Sequence, residues 1–414
     1  MPTIKPFCAL KPAVHLQKQV VTRPLENYST GEAKLIASEN PCSFLHLIDP
    51  ELDNPYLRGT RQELVFKKIS ENLEDFIAHH YLVKQTQPAI YIYRINHNGL
   101  VQTGIWTLTH ISDYLENRIK KHESTVARRE TLLADYLQQT GLDANPVLIT
   151  YRPDAVIDRV TAKYLSAKPA LDFVFEDGTK HQIWAVTATD DLEVIVHSFA
   201  QLPEVYIADG HHRAAAMAKM GLQKKLLNAA KHNGTELYNY FSTVYMNTRE
   251  VKVLEFNRLI RDMGNLTAEG FLDAVSQSFL LEKSAVPVKP DALHQLGMYF
   301  NGQWYVLLPK AGLYNEDDPV EVLDVRILQN FILEPVLHIK DPRTDARITF
   351  EGGNTPVLTL QSRVDNGLFA LAFTLYPPSV EQVIAVADAG GVMPPKSTWV
   401  EPKFLVGLLT SYFN

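Results

Sequence analysis

Three pairs of apolar runs along the chain are each interrupted by a short polar turn. The turns are Asn98-Gly99, Asp177-Gly178 and Asn301-Gly302. Asn-Gly and Asp-Gly tolerate the positive φ angles that two-residue turns require, and the flanking residues are rich in the aromatic and β-branched types that favour strands. The pattern therefore predicts three β-hairpins, with strands at 89–95 and 101–108, at 171–175 and 182–186, and at 297–300 and 303–308.

Apolar residues recur with a helical period between these hairpins. The period predicts helices at 62–81, 126–137, 190–202 and 320–337, and a short helix at 379–387 that Ser379 caps. A further strand is predicted at 369–376. Since helices and strands interleave while hairpins dominate the strand pairing, we predict an α+β fold of mixed sheets with flanking helices, and not a purely parallel doubly wound sheet.

Polar, turn-forming stretches at 261–266 and 312–319 interrupt the second half of the chain. The first of them is the better candidate for a domain boundary, because it separates two structured stretches. We predict a core domain at 1–262 and a smaller C-terminal domain with helices and strands at 263–414.

Composition narrows the class of protein. The 414 residues are 46% hydrophobic and 21% charged, with a net charge of −7 and two cysteines. An acidic chain is a poor candidate for nucleic-acid binding, and its apolar runs fall well short of the roughly 20 residues that span a bilayer. No secretory signal pattern opens the sequence, and two cysteines form no disulfide framework. We therefore predict a soluble cytoplasmic protein, with neither nucleic acid nor membrane as a partner. The oligomeric state is not predicted.

The densest group of chemically active side chains lies at 209–213, where the sequence reads Asp-Gly-His-His-Arg. An apolar run at 205–208 predicts a buried strand before it, and an alanine-rich run at 214–230 predicts a helix after it. Unpaired N–H groups and the dipole at a helix N-terminus attract anions. The pattern predicts a phosphate site formed by Gly210, His211, His212 and Arg213, with Asp209 as a catalytic acid or base. The alternative is a helix cap with solvated histidines.

A second polar group, Lys121-His122-Glu123-Ser124-Thr125, lies between two helical stretches. It lacks the two histidines at i and i+4 that a metalloprotease helix needs, and no other cluster predicts a metal site formed by protein side chains alone. Considered alone, it favours a solvated loop in which Ser124 or Thr125 caps the next helix.

A third group, Met393-Pro394-Pro395-Lys396-Ser397-Thr398, is followed by Lys403. The glycine frame of a Walker loop is missing, so that motif is excluded. Two prolines stiffen the turn and could hold Lys396 in one position for an anion. A rigid surface turn is the equal alternative.

The motifs at 207–213, 121–125 and 393–403, in this order, resemble the "HHR" family, numbered 1015 among the domains of unknown function. The resemblance covers nearly the whole chain. It departs from the family at Arg23-Pro24-Leu25-Glu26, where an Arg-Pro-Tyr-Asp is common, and at Arg128-Arg129-Glu130, where an Asp-Arg is usual.

The Asp-Gly-His-x-Arg turn also resembles, more distantly, that of free serine kinases with the ParB/sulfiredoxin-like fold. This resemblance implies a ParB/sulfiredoxin-like core in which the turn holds nucleotide phosphates. It implies that Asp209 and Glu123 serve the reacting hydroxyl, Glu123 being matched by order and motif. Sulfiredoxin chemistry is excluded because histidines occupy the place of the required cysteine, and the basic surface of ParB proteins is missing.

Three functions follow from these observations. The first is a phosphotransferase that uses a nucleotide (ATP or ADP) and Mg²⁺ to phosphorylate a small hydroxylated metabolite. Asp209 and Glu123 would be catalytic; residues 210–213 with Lys396, Ser397 and Thr398 would hold phosphates. Lys121, His122 and Lys403 are secondary candidates. The second is a regulatory protein that binds a nucleotide or anion without catalysis, and the third is a hydrolase of phosphate esters.

Overall fold

The computed structural model describes residues 2–59 and 61–413, and these divide into two compact units. The first comprises the described residues from 2 to 251 and from 402 to 413, and the second comprises Lys252–Glu401. The chain thus leaves the first unit once and returns to it. The boundary predicted at residue 262 falls after two strands that pair within the second unit, whereas the observed division precedes them.

The first unit contains thirteen of the described strands and nine α-helices. Its strands are β1 Ile4–Lys5, β2 Leu10–Pro12, β3 Leu82–Lys84, β4 Ile90–His97, β5 Leu100–His110, β6 Ile119–Lys120, β7 Leu142–Asp143, β8 Val147–Tyr151, β9 Leu171–Val174, β10 Lys180–Val186, β11 Val205–Asp209, β12 Tyr240–Asn247 and, after the second unit, β21 Ser411–Tyr412. Its helices are α1 Gln17–Val20, α2 Thr30–Glu39, α3 Leu45–Ile48, α4 Gln62–Ala78, α5 Ile111–Leu115, α6 Ala127–Thr140, α7 Ala155–Leu165, α8 Thr189–Gln201 and α9 His211–Leu227.

The second unit contains eight of the described strands and four α-helices. Its strands are β13 Lys252–Leu254, β14 Phe256–Ile260, β15 Phe279–Ser284, β16 Leu296–Phe300, β17 Gln303–Pro309, β18 Ile348–Gly352, β19 Leu371–Thr374 and β20 Trp399–Glu401. Its helices are α10 Ala268–Ser278, α11 Asp324–Leu328, α12 Val357–Asp365 and α13 Val380–Asp388.

The main sheet of the first unit has nine strands, in the order β6-β11-β8-β12-β5-β4-β10-β9, with β1 also paired to β5. The pairs β6–β11 and β8–β12 are parallel, while β11–β8, β12–β5 and β4–β5 are antiparallel. The second unit has a six-stranded antiparallel sheet in the order β15-β17-β16-β19-β14-β18. The predicted α+β class with mixed sheets and flanking helices is confirmed.

All three predicted hairpins are present, as the pairs β4–β5, β9–β10 and β16–β17. Their turns adopt the conformation that the residues predict: φ is 51° at Asn98, 84° at Gly99, 82° at Gly178, 49° at Asn301 and 75° at Gly302. Local turn chemistry therefore fixed these registers.

The predicted helix at 320–337 is wrong in extent. Its regular part is the short α11, followed by a π-helical turn at Gln329–Leu333, in which the Glu334 N–H donates to the Gln329 carbonyl. Pro335 lies inside the predicted span and has no N–H to continue the α-helical pattern. The Asp324 carboxylate instead accepts the N–H of His294 and lies 3.0 Å from the His294 ring.

Helix α9 begins directly after β11, and small residues let it pack closely. Ala214, Ala216 and Ala218 are buried in the core of the first unit, and α9 packs against α6 and α5. At Gly221 a Cβ atom would lie 2.7 Å from the Tyr238 carbonyl. The alanine-rich run at the start of α9 is therefore a packing surface, which fixes where the N-terminus of α9 lies. Among the described residues, no helix is long and apolar enough to cross a membrane.

Candidate functional site

The turn between β11 and α9 depends on glycine at position 210. Gly210 has φ 98° and is the N-cap of α9. A Cβ atom there would lie 2.8–3.0 Å from the guanidinium atoms of Arg213. Glycine thus permits both the left-handed backbone and the close approach of Arg213.

Two substitutions separate the need for a left-handed backbone from the need for space beside Arg213. Gly210→Ala and Gly178→Ala both place a side chain at positive φ, which costs about 1–3 kcal/mol of stability. Nothing lies within 4 Å of a Cβ atom at Gly178, so only Gly210→Ala also displaces Arg213. We expect both variants to unfold earlier in a urea titration, and only Gly210→Ala to lose anion binding. Equal binding by the two variants would show that the position of Arg213 does not matter.

The N-terminus of α9 has no side-chain cap. The Gly210 carbonyl accepts the Ala214 N–H at 3.0 Å, and the first N–H groups of a helix have no acceptor within the helix itself. Asp209, the residue placed to act as a cap in the alternative interpretation, is directed to Arg213 instead. The prediction that Asp209 caps α9 is therefore wrong. The N-terminus of α9 keeps the partial positive charge that attracts anions.

Two cations hold the Asp209 carboxylate. Arg213 donates to its Oδ2 at 2.7 Å, and the Lys403 ammonium lies 3.5 Å from its Oδ1. Burial raises the pKa of Asp209, but the charges of Lys403 and Arg213 outweigh it and lower the pKa to about 2. Because the side chain remains 38% exposed, the site presents an ionised, accessible carboxylate that is a weak base.

Lys403 reaches Asp209 because the C-terminal segment returns to the first unit. Thr22 and Val406 form a β-bridge, and β21 pairs with β7. The sequence marked Lys403 only as a secondary candidate, since it is far from the turn along the chain.

The Arg213 guanidinium is held by several hydrogen bonds within the protein. Besides Asp209, its guanidinium donates to the side-chain oxygen of Asn145 and to the carbonyls of Asn145 and Pro146. These bonds tie the start of α9 to the segment before β8. Its role as a phosphate ligand stays a prediction; the contacts described here are structural.

His211 connects the turn to the segment at 121–125. Its Nε2 accepts the backbone N–H of His122 at 3.4 Å, and its Nδ1 lies 3.5 Å from a Glu123 carboxylate oxygen. Burial lowers the pKa of His211 well below its usual value and that of His122 to about 4, so both rings are neutral at pH 7. Since Nε2 accepts, we infer that Nδ1 carries the proton and faces Glu123. His211 thus connects the segment that carries Glu123 to the turn that carries Asp209.

His212 faces the start of α6. Its Nε2 accepts the Val126 N–H at 3.0 Å, and Val126 is the N-cap residue of α6, without a side-chain cap. The predicted cap by Ser124 or Thr125 is therefore wrong; the Thr125 hydroxyl donates to Glu130 instead. A histidine from another helix satisfies an N–H group that a local cap was expected to satisfy.

The remaining predicted residues lie elsewhere. The Lys121 ammonium lies 4.0 Å from the centre of the Tyr114 ring, and burial lowers the pKa of Lys121. Lys396, Ser397 and Thr398 belong to the second unit. Ser397 donates to the Pro394 carbonyl at 2.6 Å, which closes their loop. Their convergence with Asp209 stays a prediction.

Sequence reasoning missed the segment at 143–146, which supports the site. Asn145 and Pro146 hold Arg213, and Asp143 is a buried carboxyl that accepts the Ser242 N–H at 2.6 Å. The only signal was Asn-Pro before an apolar run, which is typical of any strand entry.

The buried Asp143 predicts how stability depends on pH. Burial raises its pKa to about 7, against the opposing effects of Ser242 and Arg213. The folded protein therefore keeps a proton that the unfolded chain, with a carboxyl pKa of about 3.9, has released. This group's contribution to stability falls as the pH rises from about 4 to about 7 and does not recover above that.

Asp143→Asn keeps an oxygen acceptor for Ser242 and cannot ionise. We expect its stability relative to the wild type, measured as the urea midpoint, to be higher at about pH 8 than at about pH 5. Parallel losses in the two proteins would show that Asp143 does not titrate between these values.

Comparison with known proteins gives one family and distant structural neighbours. The family described as "Protein of unknown function (DUF1015)" matches residues 4–326. A free serine kinase in complex with AMP has a TM-score of 0.38 and 11% identity, covering 72% of this chain and 88% of that one. A conserved hypothetical protein from Pyrococcus furiosus has a TM-score of 0.37 and 12% identity, covering 72% of this chain and 91% of that one.

SbnI with a C-terminal truncation, from Staphylococcus aureus, has a TM-score of 0.36 and 10% identity, covering 72% of this chain and 82% of that one. No curated protein matches the chain. Because these TM-scores are below 0.5, we base the function on the residues of the site.

Proposed function

The chain belongs to the family described as a protein of unknown function, DUF1015, and since that description names no reaction, we propose one from the site. The protein transfers a phosphoryl group from a nucleotide to the hydroxyl of a small metabolite. The observation that carries this proposal is the ionised, accessible Asp209 carboxylate beside the uncapped N-terminus of α9.

The phosphate side of the site suits a polyanion. Backbone N–H groups at 211–213 and the dipole of α9 attract phosphate oxygens. Lys403 supplies a positive charge beside Asp209, while Arg213 holds the turn in shape and adds its charge. We further propose that Lys396, Ser397 and Thr398 contact a phosphate group within their own unit, and that β11 and α9 belong to a ParB/sulfiredoxin-like core.

The carboxylates of Asp209 and Glu123 have different roles towards the hydroxyl group that accepts the phosphoryl group. In the transfer, the acceptor oxygen forms a bond to phosphorus, the bond from phosphorus to the nucleotide's bridging oxygen breaks, and the hydroxyl proton leaves. Asp209, with a pKa of about 2, is too weak a base to keep that proton but can accept its hydrogen bond and orient the oxygen. We assign proton acceptance to Glu123, which the neutral His211 ring positions.

Mg²⁺ commonly accompanies such transfers by neutralising phosphate charge. The described residues contain no group of three or more His, Cys, Asp or Glu side chains placed to hold a metal ion, and two cations already occupy Asp209. The described side chains therefore form no metal site of their own, and we assign no step to a metal ion.

One observation favours a second candidate, a regulatory nucleotide-binding protein. Arg213 and His212 both form hydrogen bonds with the protein's own backbone. In that case the same cradle would bind a nucleotide without turnover.

Incubation with a nucleotide panel, Mg²⁺ and pooled hydroxylated metabolites separates these functions. A kinase produces a phosphorylated acceptor that mass spectrometry detects, and a sensor gives binding by calorimetry without product. Phosphate release without an acceptor would indicate a hydrolase. Lys403→Met, which removes a charge and leaves the turn's backbone intact, is expected to weaken nucleotide binding about tenfold. If the affinity for the nucleotide is unchanged, the N-terminus of α9 is not part of the phosphate site.

A further inference from the structure

Arg258 is a buried arginine on the strand next to the edge of the second unit's sheet. It lies on β14, between β18 and β19, and is 3% exposed. Its guanidinium donates to the carbonyls of Phe256 and Lys396. Among the described residues of this unit, no carboxylate lies within ion-pair distance of it.

A buried guanidinium without an opposite charge is costly, which is why buried charges are normally paired. Burial alone lowers the pKa of Arg258 to about 9, with no carboxylate opposing it. Two backbone carbonyls satisfy two of its five N–H donors and none of its net charge. No carboxylate at ion-pair distance therefore neutralises this guanidinium, although Glu255, just before β14, is also buried.

Lys396 lies beside this guanidinium. The Phe256 and Phe350 rings touch edge to face, with centroids 6.5 Å apart. The Lys396 ammonium lies 5.2 Å from the centre of the Phe256 ring, and the Arg258 carbon Cζ lies 5.4 Å from that of Phe350. The Arg258 guanidinium donates to the Lys396 carbonyl at 3.0 Å, and Lys396 has φ 55°, a conformation that residues other than glycine rarely adopt.

We propose that Arg258 and Lys396 form an anion-binding site for a phosphoryl group, with Arg258 as the buried ligand and Lys396 as the exposed one. A dianionic phosphate matches two cations, and the planar guanidinium pairs with its oxygens. The site is built from the second unit's own residues and gives Lys396 a partner that the sequence did not reveal. It does not depend on the reaction proposed for the Asp209 turn.

Chemical protection of Lys396 tests the site directly. Lys396 is exposed and open to limited acylation, and the extent of modification is measured for each peptide by mass spectrometry. We expect millimolar inorganic phosphate to slow acylation of Lys396 in the wild-type protein, and not that of the exposed Lys283 in the same unit. Protection at lower concentrations of AMP would identify the phosphate as part of a larger ester. No protection by either, or stronger protection by a dicarboxylate, overturns the proposal.

Two variants give the role of each cation. In Arg258→Met, phosphate should no longer protect Lys396, whereas Asp209→Asn should keep the protection even if the proposed reaction fails. Without anions, Arg258→Met should be at least as stable as the wild type, because it removes an uncompensated charge. Phosphate should raise the Tm of the wild type and leave that of Arg258→Met unchanged.

Lys396→Met covers the case in which Arg258→Met does not fold. Lys396 is exposed, so this substitution should leave the fold intact. It should raise about tenfold the phosphate concentration that is needed for a given rise in Tm. Unchanged protection in Arg258→Met, or an unchanged response in Lys396→Met, shows that these cations do not bind the anion.

Discussion

Asp209→Asn is expected to reduce phosphoryl transfer about a hundred- to ten-thousandfold while nucleotide binding changes little. The asparagine keeps an oxygen for Arg213 but loses the charge that attracts the acceptor's proton and orients its oxygen. Single-turnover assays with a substrate found by the metabolite screen measure the effect on the transfer step itself.

Glu123→Gln is the matched comparison, because it removes the second carboxylate and leaves Asp209 in place. If Glu123 accepts the proton, this variant should lose activity most at low pH, and its rate should rise as hydroxide replaces the missing base. If Asp209→Asn retains full turnover, the carboxylate is structural and the enzyme hypothesis loses its central residue. Nucleotide binding without turnover in the wild type would leave the regulatory alternative.

Gly407→Ala is expected to destabilise the first unit by about 2–6 kcal/mol. Gly407 has φ 80°, and a Cβ atom there would overlap the fully buried Phe44 ring. Both left-handed strain and overpacking therefore act at one residue, and the segment affected carries Lys403. We expect a lower Tm together with weaker nucleotide binding.

Gly234→Ala provides the control, since its φ is 88° but nothing lies within 4 Å of the added atom. It should show the strain alone and leave binding intact. If the two variants are equally stable, Phe44 moves aside at little cost. If Gly407→Ala is unstable but binds normally, Lys403 does not need this anchoring.

Local signals explain most of what the sequence predicted correctly. The three Asn-Gly and Asp-Gly turns predict their hairpins because these residues tolerate the positive φ angles that the turns contain. Ser379 was predicted as the cap of α13, and it forms a capping box with Gln382. The turn at 209–213 could be found because a strand, a glycine and a helix follow each other without interruption.

The failures involve residues that are distant in sequence. The Val126 N–H donates to His212, a residue of another helix, which no local pattern reveals. The helix at 320–337 was predicted from the helical period of its apolar residues, although Pro335 lies inside that range. Lys403 and Asn145 reach the turn only through the pairing of the C-terminal segment and the entry to β8. Arg258 gave no signal, because a single arginine in an apolar strand looks like an edge residue until its burial is known.

The insertion of the second unit between Asp209 and Lys403 has a consequence for biosynthesis. At about 5–20 residues per second, the ribosome makes Lys403 roughly ten to forty seconds after Asp209. During that interval the nascent first unit has the turn and Arg213 but not β21, the strand that pairs with β7. The carboxylate therefore acquires its second cation only after the whole inserted unit has been translated, so the site matures at the end of synthesis.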